Sequence, residues 1–179
     1  MIISNTEIEG LLVIEPKVFA DERGYFYETY NDKNYHLPYA ESFVQDNEAK
    51  SNKGVLRGMH LQRGEFAQGK LVRVVRGSVF DAVIDVRSWS PTFGSWFGIE
   101  LSADNKKQLW VPRGFAHGYL VLEDDTIFSY KCDNYYYPAA EQGIRYDDPR
   151  LAIAWPDINM PFIISGKDLA LGGLADLEI

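Results

Sequence analysis

Leu71–Arg87, LVRVVRGSVFDAVIDVR, decides the fold. It holds two short runs rich in β-branched residues, Leu71–Arg76 and Val79–Arg87, with the turn signal Arg76-Gly77-Ser78 between them. In the second run the even positions Phe80, Ala82, Ile84 and Val86 are apolar, while the odd ones include Asp81, Asp85 and Arg87. A period of two predicts a strand with one dry face and one partly polar face. Outward from this stretch, Leu11–Ile14, Tyr25–Tyr30, Val55–Gln62, Trp96–Leu101, Gln108–Val111, Tyr119–Leu122 and Thr126–Lys131 read as further strands. Turn signals separate them: Asp21-Glu22-Arg23-Gly24, Ser90-Pro91-Thr92-Phe93-Gly94, Pro112-Arg113-Gly114 and Glu123-Asp124-Asp125. Helical periodicity is weak everywhere, and the best candidates are the short segments Asn31–His36 and Asp168–Leu177. There is no internal repeat or linker. The expectation is a single all-β domain over residues 1–179, a jelly roll or similar double-sheet barrel with a few short peripheral helices.

Composition narrows the function classes. A chain of 179 residues is long enough to bury a sizeable core, and 46% hydrophobic with 14% aromatic residues excludes general disorder. The net charge of −8 argues against a nucleic-acid partner, although local arginines and lysines can still hold a small anion. The lone cysteine, Cys132, allows no internal disulfide and suits a reducing compartment. MIISNTEIEG lacks the basic start and apolar run of a secretion signal, and no apolar segment approaches the roughly 18 residues that span a bilayer. A cytoplasmic protein without a membrane partner is expected.

The stretch Val55–Lys70, VLRGMHLQRGEFAQGK, begins on an apolar strand yet carries two arginines, a histidine, two glutamines, a glutamate and a lysine. Burying such groups unpaired costs several kcal/mol, so their density points to a polar pocket on the inner face of a sheet. The alternative is a half-exposed strand with a solvated edge. His60 is one of only three histidines, with His36 and His117.

Within this all-β frame, Pro112-Arg113-Gly114-Phe115-Ala116-His117-Gly118 resembles the second characteristic motif of the cupin superfamily. The first cupin motif normally supplies two histidines one residue apart; the matching Gly58-Met59-His60-Leu61-Gln62 has glutamine in place of the second. His60 and His117 are too few nitrogen ligands for the usual three-histidine site, so no metal is expected and a metal-dependent oxygenase is the weaker reading.

A larger set of motifs is similar to the dTDP-4-dehydrorhamnose 3,5-epimerase family. These are Asp21-Glu22-Arg23-Gly24-Tyr25-Phe26-Tyr27-Glu28, Phe43-Val44-Gln45-Asp46-Asn47, Gly54-Val55-Leu56-Arg57-Gly58-Met59-His60, Gln68-Gly69-Lys70-Leu71-Val72, Ser90-Pro91-Thr92-Phe93-Gly94, the His117 motif and Ser165-Gly166-Lys167-Asp168. They stand in the family's order over nearly the whole chain. The resemblance implies a cupin-like jelly roll, dimeric, inverting two carbons of a 4-keto-6-deoxyhexose carried on dTDP. Three departures stand out: Glu48-Ala49 where a serine is usual, Tyr146 for a common tryptophan, and no proline in Leu169–Leu177.

Epimerisation beside a ketone needs a base for the α-proton, charge for the enolate oxygen, and an acid on the opposite face. The resemblance assigns His60 as base with Asp168 as its partner, Lys70 to the enolate oxygen and Tyr130 as proton donor. Asp168 could instead be an N-cap for the last helix. Tyr136 is implied to lie near the sugar, His117 with Asp81 to form a second polar pair, and Arg23, Arg57 and Lys167 to hold the phosphates. Glu28, Gln45 and Asn47 are implied for the rest of the ligand, whereas Tyr135 and Tyr137 read as a packed aromatic edge. No metal or other cofactor is expected, since the net reaction is proton transfer at activated carbons. One conflict remains: ideal alternation puts Arg57 and His60 on opposite faces, and only a bulge or kink at Gly58 brings both into one pocket.

Overall fold

The computed structural model describes residues 1–40 and 42–177. Its strands are β1 (Ile2–Asn5), β2 (Leu12–Glu15), β3 (Phe19–Asp21), β4 (Gly24–Phe26), β5 (Gln45–Ser51), β6 (Val55–Gln62), β7 (Lys70–Arg76), β8 (Ser78–Asp85), β9 (Trp96–Ser102), β10 (Gln108–Val111), β11 (Phe115–Val121), β12 (Thr126–Cys132), β13 (Glu141–Gly143) and β14 (Ile163–Ile164). One helical turn, α1 (Gly166–Leu169), precedes a 3₁₀ turn at Leu174–Asp176.

Two sheets face each other as a jelly roll, in the orders β1-β2-β10-β7-β12-β5 and β13-β6-β11-β8-β9, with β14 beside β6. Alternate residues turn inward, where Val72, Val74, Val83, Leu109, Phe115 and Phe128 form the main core. The outer faces are also covered. Tyr30, Tyr35, Leu37, Ala40 and Phe43 pack over Leu12, Leu71 and Trp110, with the Trp110 indole donating to Pro38 O at 3.0 Å. The C-terminal segment brings Ile153, Trp155 and Leu174 over Ala82 and Ile84. The expected dry face of Val79–Arg87 is therefore this outer core, and its partly polar face is the barrel interior, where Asp81 and Asp85 are fully buried.

Several expected elements differ. Asn31–His36 is a turn, not a helix: the Asn31 side chain accepts from Lys33 N–H, and the chain turns away after Asn31 O accepts from Tyr35 N–H. Asp168–Leu177 is split by Gly172-Gly173 into α1 and the 3₁₀ turn. Tyr25–Tyr30 is a strand only as far as Phe26, because its partner β3 ends after three pairs. β5 escaped notice because QDNEAKS is polar, which an edge strand paired only to β12 tolerates.

Candidate active site

The bulge that the sequence required is present. His60 pairs with His117 and Arg57 with Tyr119, so Gly58 and Met59 together oppose the single residue Gly118. Gly58 has φ +129°, and a Cβ there would lie 2.5 Å from Gly118 Cα, so only glycine fits. With the extra residue absorbed, Arg57 and His60 both face the cavity while Met59 and Leu61 enter the outer core.

The bulge also determines how Asp168 approaches. On the free edge of β6, β13 covers His60–Gln62 and β14 covers Val55–Leu56, leaving a gap at the bulge. The first turn of α1 fills it. Ser165 caps this turn, its Oγ accepting from Asp168 N–H at 3.1 Å, so the Asp168 carboxylate is not the N-cap that the sequence allowed. Asp168 instead accepts the Gly58 N–H at 3.3 Å through Oδ2 and the His60 Nε2–H at 2.7 Å through Oδ1. It is 4% exposed, whereas His60 opens on the cavity with Nδ1 unpartnered among the described residues. This is the arrangement that fixes a tautomer and supports the charged imidazolium. Next to it, His117 Nε2 lies 3.0 Å from both oxygens of Asp81. Burial pushes the Asp81 carboxyl up, with His117 and Lys70 pulling against it.

The opposite wall comes from the other sheet. Lys70 opens β7, and Tyr130 points inward from β12 with the Lys70 Nζ 6.0 Å from its ring centroid. Among the described residues neither the Lys70 amine nor the Tyr130 hydroxyl makes a hydrogen bond. Burial lowers Lys70 below its ordinary 10.5, with Cys132, Glu141 and Asp81 opposing. Burial, with Cys132, raises Tyr130, and Arg57 opposes. Lys70 is held from behind by its neighbour: Gly69 N–H donates to Asp133 Oδ1 at 2.6 Å, and Arg113 Nε donates to Asp133 Oδ2 at 3.0 Å.

Between the walls lies a cavity of about 530 Å³ that reaches Arg57 and Lys167. A second, of about 290 Å³, shares His60, Lys70 and Tyr130 and runs past Gln45, Asn47 and Tyr136. The structure thus brings together His60, Asp168, Lys70, Tyr130, His117, Asp81, Arg57, Lys167, Gln45, Asn47 and Tyr136. Ala49, of the Glu48-Ala49 pair that stands where a serine is usual, also lines the first cavity. Arg23 and Glu28 do not line either one. Arg23 sits at the tip of the β3–β4 hairpin with Asp21, and Glu28 accepts from Asn31 and Asn34.

Sequence reasoning missed Glu141. It stands at the mouth, where Oε2 accepts from Tyr136 Oη and from Lys167 Nζ, both at 2.7 Å. Burial opposes its charge, but the bonds from Lys167 and Tyr136 win and hold its carboxyl below the usual range. A three-residue strand gives no periodic signal by which to find it. Gln62, at the position of the missing cupin histidine, is committed to the backbone: Nε2 donates to Phe66 O and Tyr135 O, and Oε1 accepts from Tyr137 N–H.

The fold is the cupin-type jelly roll. The family model for dTDP-4-dehydrorhamnose 3,5-epimerase matches residues 5–176. The chain is 52% identical over 179 residues to the dTDP-4-dehydrorhamnose 3,5-epimerase of Escherichia coli K12, covering 99% of this chain and 96% of that one. It superposes with TM-score 0.94 and 49% identity on dTDP-6-deoxy-D-glucose-3,5-epimerase from Legionella pneumophila, crystallised with dTDP-4-keto-L-rhamnose, covering 98% and 94% of the two chains. A 3'-monoepimerase from Streptomyces bikiniensis, crystallised with dTDP-quinovose, matches at TM-score 0.88 and 34% identity over 95% of this chain and 86% of its own. The chain belongs to the dTDP-4-dehydrorhamnose 3,5-epimerase family.

Proposed function

We propose that this protein inverts carbon-3 and carbon-5 of dTDP-4-keto-6-deoxyglucose to give dTDP-4-keto-rhamnose, in deoxysugar (dTDP-L-rhamnose) biosynthesis. The observation that carries the reading is the 2.7 Å His60–Asp168 pair facing Lys70 and Tyr130 across one cavity. His60 takes the proton from the carbon beside the ketone, through the nitrogen that Asp168 leaves free. Asp168 stabilises the imidazolium that forms. Lys70 stands by the carbon-4 oxygen, where negative charge develops as the enolate forms. Tyr130 donates a proton to the other face, which inverts the carbon, and the cycle repeats at the second position. Arg57 and Lys167 suit the phosphates, with Gln45, Asn47 and Tyr136 lining the way toward the nucleoside. The cycle uses no metal or nicotinamide.

The match to a monoepimerase keeps a single-carbon reaction as the second reading. Incubation with dTDP-4-keto-6-deoxyglucose in deuterated water decides it. Deuterium at both carbons of the epimerised product is expected; deuterium at one selects the second reading, and none sinks both.

The working unit of this reading is a homodimer of one-domain chains in the cytoplasm. The β3–β4 hairpin leaves Phe19, Tyr25 and Phe26 more than half exposed, an apolar surface that a partner chain would cover. Laid over the partner's cavity, it would bring Arg23 and Glu28 to the nucleotide. Light scattering at micromolar concentration should give two chains per particle; one would contradict the dimer.

A further inference from the structure

Tyr119 has no part in the chemistry above, yet it faces the same cavity. It follows His117 by two residues on β11, so its ring turns to the same inner side. The side chain is 5% exposed and stacks on Phe128 at 4.0 Å between centroids. Among the described residues its hydroxyl makes no hydrogen bond. The hydroxyl is open to the cavity and not sealed in the core, where the unpaired side-chain atom among the described residues is Gln108 Oε1. Phenylalanine would stack on Phe128 equally well, so the phenol offers the cavity a donor that the protein does not itself engage.

Register says which part of a ligand it would meet. On β6 the base is His60 and the phosphate-side cation is Arg57; on β11 the residues opposite them are His117 and Tyr119. Tyr119 is thus level with Arg57, at the phosphate end of the reacting sugar. Arg57 itself is engaged by Ser51 Oγ, and Asp81, beside Tyr119 on β8, by His117. Burial holds the Tyr119 phenol far above the ordinary tyrosine range, so it remains a donor.

We propose that Tyr119 is a specificity residue, donating a hydrogen bond to the hydroxyl on carbon-2 of the hexose, the hydroxyl-bearing carbon next to the phosphate-linked one. This rests on the epimerase reading. A bond made equally in ground and transition states raises KM when lost and leaves kcat alone. Its loss is worth roughly two- to tenfold in affinity.

The test compares wild type and Tyr119→Phe on dTDP-4-keto-6-deoxyglucose and on its 2-deoxy counterpart. The variant should raise KM for the first sugar roughly two- to tenfold, with kcat and the pH profile unchanged. KM for the 2-deoxy sugar should not move, and the ligand-free variant should melt no lower than wild type. Unchanged KM for the 2-hydroxy sugar, an equal rise for both sugars, a fall in kcat alone, or a lower melting temperature would each overturn the assignment. Wild-type inactivity on both sugars would overturn the epimerase reading, and this inference with it.

Discussion

On the wall built by β6 and β11, both histidines and the arginine are partnered: His60 by Asp168, His117 by Asp81, Arg57 by Ser51. On the facing wall built by β7 and β12, Lys70 and Tyr130 have no hydrogen-bond partner among the described residues. The first wall holds its histidines and its arginine by geometry, each against a fixed partner. The second leaves an amine and a phenol desolvated, and burial is the largest influence on both: Lys70 moves down, Tyr130 up. A base must be aimed before the substrate arrives, whereas groups that meet developing charge gain most when their partner forms only during reaction.

Removing the aimed group should have the largest effect. His60→Asn is expected to cut solvent exchange at the epimerised carbons by roughly 10²–10⁴-fold, the scale of a general base, while dTDP binding stays largely intact. Exchange near the wild-type rate would move the base to another residue and dissolve the contrast between the walls.

A smaller effect sharpens the other side. Burial favours neutral Lys70, so its charge is lost as pH rises through a value below the ordinary 10.5. Tyr130, shifted the opposite way, keeps its proton through that range. The alkaline limb of kcat/KM should therefore fall below 10.5 and belong to Lys70. In Lys70→Arg, where the cation cannot be discharged, the limb should disappear even though the remaining rate is lower. A limb at or above the ordinary lysine value, or one unchanged in Lys70→Arg, would contradict the assignment.

The barrel was more legible than the pairing inside it. Val55–Gln62 and Gln108–Val111 are strands over the residues their composition suggests, since inward packing rewards β-branched and aromatic side chains. β5 was hidden, because an edge strand lining a polar cavity can be written in Gln, Asp, Asn, Glu and Lys. The conflict between Arg57 and His60 was readable from alternation alone, and Gly58 resolves it. The His60–Asp168 contact joins residues 108 apart, and nothing local in either segment announces it; the family resemblance supplied it. Ser165 shows why the local reading of Asp168 failed: once a neighbouring serine caps the turn, the aspartate is released to face the histidine. Glu141 was beyond reach, because its importance lies in partners 5 and 26 residues away across the cavity mouth.

The central claim is that base and acid act from opposite sheets, and Tyr130→Phe tests it most directly. Without the phenol, His60 can still form the enolate and return a proton to the face it came from. In deuterated water, the recovered starting sugar should carry deuterium with retained configuration, while epimerised product falls strongly. Loss of exchange and inversion in equal measure, or normal inversion, would contradict a proton donor at Tyr130 facing a base at His60.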